Sequence, residues 1–264
     1  MTDSPVWKQD VTVIGLGETG SETVEMIGTE ADVNLYTVNS TPELEACFKD
    51  VEESDFLFLS GDLNEEKVES QVQTLLQHCT GVSVLFAEGV HSLPEDLVSE
   101  LNLLIPVKAE FLPRSIISSY IADLFECMMP LTVHDLGHND VRITAGENRV
   151  GKLYIDTPNN KQPYPLSTLK DCENPESILL FACSGEKQDQ GKIRNQIEEY
   201  SFPDSVDLLW DQRIEPRYIG TPHVKYIVTY QAQEDNFNWE DKEEIGGRGE
   251  ITVDDIDFLR RKND

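Results

Sequence analysis

The sequence predicts an α/β fold: a parallel sheet with helices on both faces, a long central helix, a smaller mixed α/β second domain and a disordered C-terminal tail. Three observations carry this. From Val11 to Ile105, short apolar runs of strand length alternate with stretches whose apolar residues recur at helical spacing. A broad apolar helix face follows from about Arg114, and the helical texture then gives way to strands. Hydrophobic periodicity ends near Gln231. The corresponding parts are residues 1–113, 114–130, 131–230 and 231–264.

Taken in order, Val11-Thr12-Val13-Ile14 is the first strand, a glycine-containing turn follows, and Val24 and Ile27 mark a helix. Val33 to Val38 is a second strand, stopped by Asn39-Ser40-Thr41-Pro42. Phe56 to Leu59 is a third, ended by Ser60-Gly61-Asp62. Residues 64–78 carry Val68, Val72, Leu75 and Leu76 on one helical stripe and lead into the strand Val82 to Ala87. Leu97 to Leu101 and the run Leu103-Leu104-Ile105-Pro106 repeat the unit. Strands apolar on both faces imply a parallel sheet covered on both sides.

Ile116, Ile117, Tyr120, Ile121, Leu124, Phe125 and Met128 give the central helix its wide apolar face, and Pro113 and Pro130 bracket it. Beyond it, strands are expected at Gly151–Ile155, Ile178–Cys183, Val206–Trp210 and Val224–Tyr230, with a helix near Lys187–Tyr200. Residues 231–264 hold eleven acidic and five basic side chains and the pair Gly246-Gly247, the composition of a disordered linker. It ends in an amphipathic cluster, Ile251 to Arg261, isolated from any core.

Fifty acidic against 21 basic residues give a formal charge of −29, spread along the chain. Phosphate neutralisation needs clustered Lys and Arg, so this balance excludes a nucleic-acid binder. Spread acidity is the expected signature of halophilic adaptation, because at 1 M salt the Debye length of roughly 3 Å screens self-repulsion. The five cysteines (Cys47, Cys79, Cys127, Cys172, Cys183) form no C-x-x-C pair and are expected as reduced, mostly buried thiols. No apolar run approaches the roughly 18 residues of a membrane span, and Met1-Thr2-Asp3-Ser4 does not open a signal peptide, so no direct membrane insertion and a cytoplasmic location are expected. His134 and His138 stand four apart in an expected loop, with no zinc-ligand set around them; no metal is expected.

Gly15, Gly17 and Gly20 have the G-x-G-x-x-G spacing of a turn that lets backbone N–H groups approach a phosphate at a helix start. A dinucleotide site also wants an acid after the second strand, where this chain has Asn39. An NAD-binding protein stays open as one reading.

Four stretches, in this order, resemble the FtsZ/tubulin superfamily: Val13-Ile14-Gly15-Leu16-Gly17, Thr37-Val38-Asn39-Ser40, Asp135-Leu136-Gly137-His138-Asn139-Asp140-Val141-Arg142, and Asp255-Ile256-Asp257-Phe258-Leu259-Arg260-Arg261. The resemblance implies a Rossmann-like nucleotide domain, a central helix, a second domain and a tail peptide. In such proteins the third stretch reaches the neighbouring subunit's GTP with water-polarising carboxylates. Here Asp140 matches one of them, Gly137 stands in place of the other, and Asp135 falls where Asn is usual. A capped helix start at Asn139 or Asp140 accounts for the same residues.

The departures lie around the phosphates. Glu18 and Glu22 flank the first turn, and where the family has a second glycine-rich phosphate loop this chain has Ser60-Gly61-Asp62-Leu63-Asn64-Glu65-Glu66. Thr41 to Asp55 is too short for the family's intervening strand, helix and phosphate loop. The resemblance therefore implies a vestigial nucleotide site at Gly15, Gly17, Gly20 and Asn39. No cofactor is expected, GTP being the candidate to test, and GTPase activity is not expected. The expected role is a non-catalytic regulator or scaffold of division or cell shape. Its tail residues Ile256, Phe258, Leu259, Arg260 and Arg261 would engage an FtsZ-family or membrane-tether partner, at the division site. A GTP-binding, filament-forming homologue is the other reading.

Overall fold

The computed structural model describes residues 9–27, 33–108, 114–128, 136–156, 164–165, 174–185, alternate residues of 191–197, 206–214 and 222–232. The order is β1 (Val11–Leu16), α1 (Gly17–Glu25), β2 (Asn34–Val38), α2 (Thr41–Glu53), β3 (Phe56–Asp62), α3 (Val68–His78), β4 (Val82–Glu88), α4 (Glu95–Glu100), β5 (Leu103–Pro106), α5 (Arg114–Glu126), α6 (His138–Ala145), β6 (Arg149–Asp156), β7 (Tyr164–Pro165), β8 (Ser177–Ser184), β9 (Asp207–Ile214) and β10 (His223–Gln231). The α/β class read from the sequence is the class found.

One ten-stranded sheet runs β2-β1-β3-β4-β5-β6-β10-β8-β9, with β7 beside β6. β2 through β6 are parallel, β10 is antiparallel to both β6 and β8, and β9 returns parallel to β8. The two halves join where β5 meets β6 through Leu103↔Arg149 and Leu104↔Val150.

Alternation along the strands sends side chains to two cores. Val11, Val13, Phe56, Phe58, Val84 and Phe86 face α1, α5 and α6, while Ile14, Leu16, Leu57, Leu59 and Leu85 face α2, α3 and α4. A third core, with Ile178, Leu180, Tyr226 and Val228, lies on one face of the second half. Burying each large side chain contributes about 1.5–3 kcal/mol, which makes these faces the main source of stability.

The second half is tied to α5 by charge as well as by packing. Asp123, fully buried on α5, accepts from Arg213 Nη1 of β9 at 2.7 Å and pairs with Lys225 of β10. Glu126 takes the same Nη1 at 2.7 Å. Arg213, Lys225 and Asp123 are all at most 1% exposed. Burying such charges is tolerable only because they meet in one cluster.

Several expected bounds move. The glycine turn has no length: β1 ends at Leu16 and α1 begins at Gly17, whose φ of +69° turns the chain in a single residue. The helix expected over 64–78 starts only at Val68, because Lys67 adopts a left-handed conformation (φ 79°) and residues 63–67 form a turn. α2 fills the stretch from Thr41 to Glu53, and His138, expected in a loop, is the first residue of α6. The helix expected at 187–200 is seen at residues 191, 193, 195 and 197. The bracketing prolines of α5, Pro113 and Pro130, and the whole of residues 233–264 lie outside the described residues.

Candidate functional site

In a parallel sheet of order 2-1-3, chains leave β1 toward β2 and return for β3 on the other side, which opens a crevice at the carboxyl ends of β1 and β3. That crevice is bordered by Gly17 and Asp62, the residues that follow β1 and end β3. It is the place where an open α/β sheet holds a ligand.

The glycines close this corner by backbone contact. A Cβ on Gly15 would stand 2.1 Å from the Gly20 carbonyl oxygen, and one on Gly20 would stand 2.0 Å from that of Ser60. The first turn of α1 is therefore pressed directly on β1 and β3. Asn39, at the end of β2, joins the same corner: its Nδ2 donates to Ser21 Oγ at 3.3 Å, and its backbone N–H donates to Glu43 at 2.8 Å. Gly15, Gly17, Gly20 and Asn39 are thus brought together at one sheet edge.

A helix start presents N–H groups that have no partner within the helix. Here they have one from the chain itself. Glu65, in the turn after β3, accepts the N–H of Glu18 on Oε2 at 2.9 Å and that of Thr19 on Oε1 at 3.0 Å. A Cβ on Gly17 would sit 2.1 Å from the same Oε2. The carboxylate occupies the position an anion would take at this helix N-terminus.

Partial burial raises the Glu65 pKa, but the Thr19 hydroxyl, the Thr19 and Glu18 N–H groups and the Arg114 charge together hold it below the usual carboxylate range. The turn is braced from below. Asn64 N–H donates to Asp62 Oδ1 at 2.8 Å, Glu65 N–H to the Asp62 carbonyl at 3.0 Å, and Leu63 N–H to the Glu88 carbonyl at 3.0 Å. Arg114, the first residue of α5, pairs with buried Glu88 at the end of β4 and lies 3.8 Å from Glu22.

The acids flagged from sequence divide differently from expectation. Glu18 contributes its N–H rather than its carboxylate, and Glu22 turns to Arg114. Glu65 and Arg114 carry the corner. The acid-rich Ser60–Glu66 run was the available signal for Glu65; nothing in sequence spacing singled out Arg114.

Asp140 sits elsewhere. Its Oδ2 accepts the Gly137 N–H at 2.7 Å and closes the start of α6. Two residues on, the Arg142 guanidinium lies 5.5 Å from the ring centroid of Phe56, the first residue of β3. α6 is therefore at the amino edge of the sheet, a strand length of about 20 Å from the glycine corner. Within one chain the two candidate sites are not brought together. Asp135, and the tail residues Ile256, Phe258, Leu259, Arg260 and Arg261, lie outside the described residues. Among the described residues no helix is long and apolar enough to cross a membrane.

No protein-family model and no curated protein matches the sequence. Among solved structures, an FtsZ variant from M. jannaschii aligns over 88% of this chain and 96% of its own length, at 10% identity and a TM-score of 0.50. The fold is FtsZ-like. A DegV family protein from Corynebacterium glutamicum aligns over 85% and 98% at 10% identity, but its TM-score of 0.27 carries no argument.

Proposed function

We propose that this FtsZ-like chain is a non-catalytic binding protein that regulates or scaffolds a cell-division or cell-shape assembly. The observation that carries the proposal is the Glu65 carboxylate on the first N–H groups of α1. A nucleotide phosphate entering there has to displace Glu65 and then stand beside it. At an effective dielectric of about 20, two like charges 4 Å apart cost about 4 kcal/mol, close to three decades of affinity. That is enough to turn a nucleotide site of FtsZ type into a closed corner.

With that corner closed, the C-terminal tail is the segment proposed to act. Ile256, Phe258 and Leu259 beside Arg260 and Arg261 have the make-up of a short anchor peptide, with an FtsZ-family filament or a membrane tether as its expected partner. Co-sedimentation with polymerised FtsZ from the same source, in multimolar KCl, tests this. The chain is expected to pellet with filaments, to release no phosphate from GTP on its own, and to stay in the supernatant as Phe258→Ala/Leu259→Ala. Absence of the wild-type chain from the pellet, or phosphate release by it alone, contradicts the proposal.

A further inference from the structure

At the far edge of the sheet an apolar face runs past its cover. The strand registers align Val228, Ile178 and Leu208 in one row across β10, β8 and β9, and Tyr226, Leu180 and Trp210 in the next. The first two members of each row are at most 6% exposed, whereas Leu208 is 41% and Trp210 46% exposed. The opposite face of β9 is buried from Asp211 on, with Arg213 in the ionic cluster and Leu209 partly buried against the first core. Among the described residues no strand pairs with the outer side of β9. The Gln212 N–H is taken by Asp211 Oδ1 at 2.7 Å, but the outward N–H groups of Leu208 and Trp210, beside two apolar side chains on one face, form a template for an added strand.

We infer that the chain's own C-terminal segment, Ile256 to Arg261, adds to β9 as an antiparallel strand. Three observations select this occupant. The first is reach: β10 ends at Gln231 on the side where Thr229 faces Ser177 and Ser177 faces Asp207, so the start of β9 lies about 10 Å away, two strand spacings. The 25 residues from Ala232 to Ile256 span about 27 Å as a random coil. The second is pattern: Ile256 and Phe258 alternate with Asp257, as do Leu208 and Trp210 with Leu209, so the two apolar pairs share a face. The third is charge. Asp207 is exposed, and Glu176, whose carbonyl accepts the Asp207 N–H at 3.4 Å and whose carboxylate lies 3.8 Å from Arg149, is still 47% exposed at its side chain. In the antiparallel sense Ile256 meets Trp210 and Phe258 meets Leu208, which puts Arg260 in the row of Glu176 and Arg261 diagonal to Asp207.

The consequence is competition: a partner that takes the tail has to strip it from β9. The inference takes up the tail proposed above as an anchor but does not require a partner, and the two are tested apart. Hydrogen exchange on the isolated full-length chain reads cis docking, while co-sedimentation reads recruitment.

The test compares exchange in wild type and in Ile256→Asp/Phe258→Asp, with β4 as the internal reference. The outward amides of Leu208 and Trp210, which the docked segment would face, are expected to exchange at least about tenfold more slowly in wild type, at every protein concentration. Equal exchange in the two chains overturns the inference. Protection that grows with protein concentration overturns it as well, because the occupant is then a second copy.

Discussion

Glu65 Oε1 accepts the N–H of Thr19 at 3.0 Å, across the crevice between the turn after β3 and the first turn of α1. Residues 46 positions apart are thereby joined at the one corner where this sheet would hold a ligand. The bond is local in space, and its consequences for stability, pH and binding can be separated by substitution.

Replacing Glu65 alters the acid limb of stability. Its folded pKa is depressed, so its contribution is present above the unfolded carboxyl value, about 4.3, and is lost as pH falls through the lower folded value. Glu65→Gln is expected to be less stable than wild type at pH 7, and the gap is expected to narrow on acidification below about pH 4. Urea unfolding at several pH values in constant high salt measures it; a gap that is unchanged or widens in acid contradicts the assignment.

Gly20→Ala is expected to destabilise the chain by about 1–3 kcal/mol. Helix propensity alone favours Ala over Gly, by about 1 kcal/mol. The new methyl would nevertheless press on the Ser60 carbonyl oxygen, a backbone atom only 2.0 Å from the Cβ position. Thermal unfolding distinguishes the two signs, and a stabilised variant would show that α1 is not held against β3 as described.

Asp123→Ala leaves Arg213 and Lys225 short of their shared buried anion, at an expected cost of about 3–5 kcal/mol. The surface pair Lys49–Glu53, 79% and 63% exposed, serves as control; its removal is expected to change stability by at most about 0.5 kcal/mol. Equal effects of the two substitutions in urea would refute the clamp between α5 and the second half of the sheet.

The strands were legible in sequence because burial on both faces leaves unbroken apolar runs such as Phe56–Leu59 and Val82–Ala87, and each of these lies within the strand observed. Their last residues, Ser60–Asp62 and Glu88, were not, since the strand continues into polar side chains that serve the site. α2 was hidden because Cys47 and Val51 supply few apolar marks among acids. The site was half legible. Spacing picked out Gly15, Gly17 and Gly20, which the fold brings to one corner, and the acid-rich turn after β3 drew attention to the acids there. That one of its acids reaches back to cap α1 depends on the left-handed Lys67 turn and on the β1–β3 pairing, neither of which leaves a local pattern.

The formal charge of −29 predicts a chain stabilised by salt. Self-repulsion among carboxylates is screened over roughly 3 Å at 1 M but reaches about 10 Å at 0.1 M. The melting temperature is expected to fall steadily from multimolar KCl to 0.1 M. A constant melting temperature over that range would remove the halophilic interpretation.

The central claim is that Glu65 closes the nucleotide corner, and titration of fluorescent GTP into the wild-type chain and Glu65→Ala, in multimolar KCl, tests it most directly. The account predicts no saturable binding to wild type below about 1 mM, a level worth only about 4 kcal/mol, and measurable binding once the carboxylate is removed. Submicromolar affinity of the wild-type chain for GTP would contradict it.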